Sequence, residues 1–188
     1  MHSFLYVMLI GITGTPGTGK TSVTKYLEST YKLNVIYLNE LIKDEKLYFG
    51  LDKERDSLIV DMEIVSKRVF ELIDDKDSIT LIEGHHSHHI TDIIIVLRAS
   101  PDTIVDRLSK RGYSIKKINE NRDAEELDII LYESVEWCDE VFEIDTTNID
   151  IKEVTKNIIE IIRIKKDNKD LKALDIYKPG SISWLKVD

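Results

Sequence analysis

Eight consecutive residues, Gly14-Thr15-Pro16-Gly17-Thr18-Gly19-Lys20-Thr21, satisfy the pattern G-x-x-x-x-G-K-[ST] in full. The chemistry such a run supports is the holding of phosphate. Glycines let the backbone curl so that successive N–H groups point at phosphate oxygens, and a helix beginning near Lys20 adds its positive dipole end. Lys20 would reach the β and γ phosphates as a point charge, and the Thr21 hydroxyl would take a Mg²⁺ site. With Gly near 7% of average composition, the fixed positions arise by chance in about one chain per hundred of this length, so the match carries weight.

A second candidate is the acid in Leu81-Ile82-Glu83-Gly84-His85, which closes a short β-branched run. At the end of a strand beside the phosphate loop, Glu83 could hold a metal-bound water or orient a nucleophile, which makes it the natural partner for Mg²⁺. A third is the pair Arg107 and Arg111, one helical turn apart, whose guanidiniums share a face and could bridge transferring phosphates. His85, His86, His88 and His89 form HHSHH and are four of the five histidines. Imidazoles at that density could bind Zn²⁺, yet the lone Cys138 is distant in sequence and successive residues of an extended turn point in different directions, so a metal site is not expected there.

These residues need elements to place them. Leu5 to Thr13 is an apolar run ending in a glycine cluster, the pattern of a buried parallel strand, and Lys20 to Tyr31 has helical spacing. Asn34 to Leu38 reads as a second strand, Asn39 to about Arg55 as a small charged insertion interrupted by Gly50, and Leu58 to Ile73 as a helix. Ser78 to Ile82 and Ile93 to Leu97 supply two more buried strands. A helix after Pro101 reaches about Lys110; one long polar helical stretch runs from Ile115 to Trp137; VFEID makes a fifth strand; and Ile151 to Lys166 is a closing amphipathic helix. The order predicts an α/β fold of the P-loop NTPase type, a five-stranded parallel sheet with helices on both faces, spanning residues 1–188 as one unit. In the tail, Trp184 is expected to dock back on the body.

Composition narrows the partners. The 188 residues carry 26 Lys plus Arg against 35 Asp plus Glu, a formal charge of −9, so the surface is not built to coat a polyanion and no sequence-specific nucleic-acid grip is expected. One cysteine forms no internal disulfide, in keeping with a reducing cytoplasm. No apolar run approaches the roughly 18 residues of a membrane span, and the opening residues lack the features of a signal peptide.

GTPGTGKT, an acid-x-His after the third strand, VLR closing the fourth, and RLxxRGYxxxK before a long E-rich helix together resemble the atypical adenylate kinases that also act in small-ribosomal-subunit maturation. The resemblance runs from about Met8 to Ile162 and implies a nucleoside monophosphate kinase using ATP and Mg²⁺, with an ATPase side activity and a small-subunit ribosomal protein as partner. It implies donor binding by Gly17, Gly19, Lys20, Thr21 and Ser22, a lid of about residues 110–120 carrying Arg111, and an acceptor-binding insertion of about residues 39–57. Lys43 falls where many members have an Arg, so acceptor phosphate would meet a point charge in place of a bidentate fork. Asn148 falls at the donor nucleobase, and Arg107 would serve the substrate phosphates. Glu83-Gly84-His85 stands where eukaryotic members carry Asp-Tyr-His, which resembles an archaeal version. His85 would order an attacking water or the acceptor phosphate, while His86, His88 and His89 would form a solvated loop or partner edge. The alternative from a different class is an NTPase switch that regulates a ribosomal-protein partner, with kinase chemistry incidental.

Overall fold

In the computed structural model, residues 7–52, 57–73 and 79–185 are described. The expected strand starts at Leu5 and Ser78, and residues 53–56 near the end of the 39–57 insertion, lie outside that set. Strand β1 (Met8–Thr13) leads through the phosphate loop into helix α1 (Lys20–Tyr31), followed by β2 (Asn34–Tyr37), α2 (Leu38–Asp44), the hairpin strands β3 (Gly50–Asp52) and β4 (Ser57–Ile59), and α3 (Met62–Leu72). Then come β5 (Ile79–Glu83), a 3-10 turn at Ser87–His89, β6 (Ile93–Arg98), α4 (Pro101–Lys110), α5 (Ile115–Glu126), α6 (Ile129–Trp137), β7 (Glu140–Asp145), α7 (Ile151–Asp167) and a second 3-10 turn, Leu171–Tyr177.

Five strands form one parallel sheet in the order β2-β5-β1-β6-β7, which puts β1 at the centre. Alternation along the strands sorts the two faces. Ile10, Ile12, Leu81, Ile95, Leu97 and Phe142 pack with residues of α1 and α7. Ile82 instead joins Leu38, Ile42, Val65 and Val69 of α2 and α3, and Ile94 and Val96 meet Leu131 of α6. The parallel α/β architecture with helices on both faces is therefore as expected.

Three local expectations need correction. The charged insertion, to which the sequence assigns no element, holds α2 and the β3/β4 hairpin, because Ile42 and Leu58 find apolar partners. Leu58 and Ile59 belong to β4, and α3 starts only at Met62, where the Asp61 side chain accepts from Glu63 N at 2.8 Å and caps the helix. The stretch from Ile115 to Trp137 is two helices, broken at Asp128, whose backbone is left-handed (φ 56°) and whose carboxylate bonds Arg98.

Candidate active site

The phosphate loop hangs between the end of β1 and the start of α1. Gly14 has φ 137°, and a Cβ there would lie 2.3 Å from the Leu97 carbonyl oxygen, so the turn out of the central strand admits only glycine. Beyond it, Thr18 Oγ1 donates to Thr15 O at 2.8 Å, and Thr146 Oγ1 donates to Thr18 O at 2.9 Å, tying the loop to the segment after β7. Lys20 Nζ donates to Gly14 O at 2.5 Å and Thr15 O at 3.2 Å. Burial pushes its pKa down to about 8, Glu83 and Glu125 pull it back up, and Arg111 pushes it further down.

Register brings the acid to the same place. Ile12 of β1 is level with Glu83 of β5, so the carboxylate sits beside the loop's entry, 4% exposed. Thr21 Oγ1 donates to Glu83 Oε1 at 3.4 Å. Burial raises the carboxyl above its ordinary range, opposed by Lys20 and the Thr21 hydroxyl. Pro16, Gly17, Gly19, Lys20, Thr21, Asn39, Glu83, His85, Arg111 and Tyr113 enclose a cradle of about 180 Å³. Four of the expected catalytic residues, Lys20, Glu83, His85 and Arg111, are thus brought together.

The cradle opens on two sides. Toward α2, α5 and the hairpin lies a cavity of about 570 Å³, with Lys43 on its rim and Asn39, Ile42, Val60, His85, Tyr113, Lys117 and Asn121 among its walls. On the other side, Gly17, Gly19, Ser22, Arg107, Arg111, Thr146 and Ile149 line a crevice of about 310 Å³. Arg107 is therefore placed away from Lys43. Its Nη1 donates to Gly17 O (3.0 Å) and Thr146 Oγ1 (3.2 Å) and its Nη2 to Thr146 O (2.7 Å), so it braces the loop backbone. Asn148 is exposed, and the neighbouring Thr146 and Ile149 line the crevice in its stead.

The histidines divide. His85 faces both cradle and cavity, and its ring stacks at 3.8 Å, tilted, on that of His86. Burial, then His86 and Lys20, push its pKa down to about 3, leaving a neutral imidazole. His88 is not solvated as expected: it is 3% exposed, and its Nδ1 has no hydrogen-bond partner. Among the described residues no three His, Cys, Asp or Glu side chains converge as a metal site.

Sequence reasoning missed Thr15, Arg98, Tyr113, Glu125 and Thr146. Arg98 signalled itself as a charge ending an apolar strand, which demands buried acids. The Glu125 carboxylate meets that demand, accepting from Arg98 Nε at 2.7 Å, while also accepting from Thr15 Oγ1 at 2.5 Å.

The family model described as "AAA domain" matches residues 10–128, from β1 into the α5/α6 junction. A protein of Methanosarcina acetivorans named "Putative adenylate kinase" is 49% identical over 183 residues, covering 95% of this chain and 98% of its own. Proteins with the same name from Methanosarcina barkeri (51% identity; 96% and 99% covered) and Methanocaldococcus jannaschii (45%; 86% and 90%) agree. The chain belongs to this adenylate kinase family. Among solved structures, shikimate kinase from Acinetobacter baumannii in complex with shikimate superposes with a TM-score of 0.59 at 15% identity over 89% of this chain and 97% of that one. That likeness shows a fold shared with that kinase. No helix among the described residues is long and apolar enough to cross a membrane.

Proposed function

We propose that this protein transfers the γ-phosphoryl group of ATP to a nucleoside monophosphate in the cytoplasm, and hydrolyses ATP slowly when water takes the acceptor's place. One observation carries the reading. The crevice, cradle and cavity form one continuous trough, because Gly17, Gly19 and Arg111 are shared by the first two and Pro16, Asn39, His85 and Tyr113 by the last two. A donor base in the crevice and an acceptor in the cavity would meet at the cradle with their phosphates in line.

Each residue then has a task. Lys20 places its ammonium among the β and γ phosphates, where it would exchange its bonds to Gly14 O and Thr15 O for phosphate oxygens. Arg111, exposed at the end of α4 and lining both cradle and crevice, supplies a second positive group. Lys43 on the cavity rim would receive the acceptor phosphate as a point charge. Thr21 and Glu83 suit Mg²⁺: a hydroxyl and a buried carboxylate, 3.4 Å apart, present oxygen donors to a hard cation at the cradle. When bound, Mg²⁺ would neutralise charge building on the β and γ oxygens. His85, neutral and facing both spaces, can accept a hydrogen bond and so orient an acceptor group or a water without adding charge.

The test is incubation of pure protein with ATP and Mg²⁺, with and without each nucleoside monophosphate, separating the diphosphates formed. Equal yields of ADP and of the acceptor's diphosphate support transfer; ADP alone at the same rate with or without acceptor refutes it. The resemblance carried by Arg111-Gly112-Tyr113 and Glu83-x-His85 extends the proposal to a ribosomal-protein partner. Capture of a basic small-subunit protein after nuclease treatment would bear this out, and loss of every partner with the RNA would refute it.

A further inference from the structure

The densest buried charge in the described residues lies at the C-terminal end of β6, beside the trough. Arg98, 1% exposed, donates from Nε to Glu125 Oε1 (2.7 Å), from Nη1 to Glu143 Oε2 (2.9 Å) and from Nη2 to Asp128. Three carboxylates exceed what one guanidinium needs. Burying two of them, Glu125 and Glu143, is costly, and a buried ionic cluster is weak evidence of stability, since well-packed apolar residues often serve as well. What the cluster does is connect distant segments. Glu125 Oε2 accepts from Thr15 Oγ1 of the phosphate loop at 2.5 Å, while its Oε1 also accepts from Ala99 N (3.2 Å) and Trp184 Nε1 (3.1 Å). Glu143 Oε1 accepts from Ser181 Oγ (3.0 Å) and Ile182 N (2.9 Å).

Residues 181–184 are therefore tied to two buried acids, one of which grips the phosphate loop. The Trp184 ring also lies over the Arg98 guanidinium, 5.9 Å from its centroid. Upstream, the segment is anchored by Leu174 and Tyr177, both buried, and by Tyr177 Oη donating to Glu160 at 3.1 Å. The same helix that carries Glu125 presents Lys117, Asn121 and Ala124 to the 570 Å³ cavity, and Thr15, bonded to that helix, also lines the cavity. A displacement of about 1 Å in such a wall can cost up to a hundredfold in turnover.

We propose that residues 181–184 are a strap that sets the acceptor wall: Trp184, acting through Glu125, holds α5 in place against Thr15, and both Glu125 and Trp184 are positioning residues for the acceptor. The kinetic part rests on reading that cavity as the acceptor site. The structural part does not.

Glu125→Gln would replace one of two accepting oxygens, which together serve Arg98, Thr15, Ala99 and Trp184, by a donor and risks misfolding, so the test uses the outer members of the chain of contacts. Trp184→Ala should raise acceptor KM about tenfold with donor KM within about twofold; Thr15→Val, a change in the phosphate loop itself, should raise acceptor KM by at least as much, and Thr15→Ser, which keeps the hydroxyl, should restore it. Because both act through one carboxylate, adding Trp184→Ala to Thr15→Val should change acceptor KM by less than about twofold. Effects on acceptor KM that multiply in the double variant, or a Trp184→Ala variant that raises both KM values alike, overturn the strap.

A second arm needs no acceptor. In the ligand-free protein, Trp184→Ala should speed amide hydrogen exchange about tenfold in residues 117–126 and 15–18, with β1 and α7 unchanged. Uniform acceleration, or none at 15–18, overturns the proposal. If the unmutated protein phosphorylates no monophosphate, the kinase reading fails, and the exchange result alone decides the strap.

Discussion

Lys20 carries two opposed demands. Its ammonium must stay charged to hold phosphate, yet burial has already pushed its pKa down to about 8, so the charged form costs folding free energy at neutral pH. Lys20→Met should therefore abolish both transfer and hydrolysis, by about a thousandfold or more, while the melting temperature holds or rises; a lowered one would mean that its bonds to Gly14 and Thr15 outweigh the buried charge. Glu83 has the mirrored position: burial raises its carboxyl, and Glu83→Gln should cut turnover by about a hundredfold or more with no loss of thermal stability. A joint transfer assay and melting scan on both variants checks the pair. These residues were legible in the sequence because their chemistry is local, written as a motif or as an acid ending an apolar run. Thr15, Glu125 and Thr146 were not, since what makes them matter is a partner over a hundred positions away, as in Thr15 to Glu125 (110) or Thr146 to Thr18 (128).

The loop after β5 packs four imidazoles against one another, with ring centroids as close as 3.8 Å for His85 and His86 and 4.1 Å for His88 and His89. Burial first, then neighbouring imidazoles, push His88 down to about 4 from 6.5. In the unfolded chain these rings protonate near pH 6.5, in the folded one only well below, so the unfolded state binds more protons on acidification. Stability should be full above pH 6.5 and fall as pH drops toward 4, by up to about 3 kcal/mol for His88 alone. Glu83 works in the opposite sense, as one carboxyl against four imidazoles. Urea midpoints from pH 7.5 to 4.5 measure the slope, and His88→Gln should flatten it. Helix α5 offers a second check. Its opening turns are pinned by Ile118, 8% exposed, which joins Ala99, Ile104 and Leu108, so Ile118→Ala should cost about 2–4 kcal/mol in the same urea assay. From sequence the stretch from Ile115 to Trp137 reads as one long polar helix, and the left-handed Asp128 that splits α5 from α6 reads as part of it. Asp128 turns because Arg98 holds its carboxylate, a long-range cause that periodicity does not register.

At the scale of the whole molecule, a formal charge of −9 should keep the protein from heparin at about 50 mM salt; retention there would mean that a local basic patch outweighs the net field. The class of fold was legible at this scale from alternating strands and helices, but strand order was not, because right-handed crossovers permit several parallel orders. The order found, β2-β5-β1-β6-β7, puts the first strand in the middle, between two partners drawn from much later in the chain. Its contacts are distant: Thr13 reaches His85 across 72 positions, and even edge strand β2 meets β5 across 46, at Asn34 and Thr80. Closing such loops consumes chain entropy before any pairing repays it, so refolding from urea belongs in the millisecond-to-second range. Until β5 and β6 arrive, the apolar run MLIGIT of β1 has no sheet to enter. The central placement that lets one loop meet helices from both sides thus leaves the nascent phosphate loop tethered to an unpaired, aggregation-prone strand for most of the folding time.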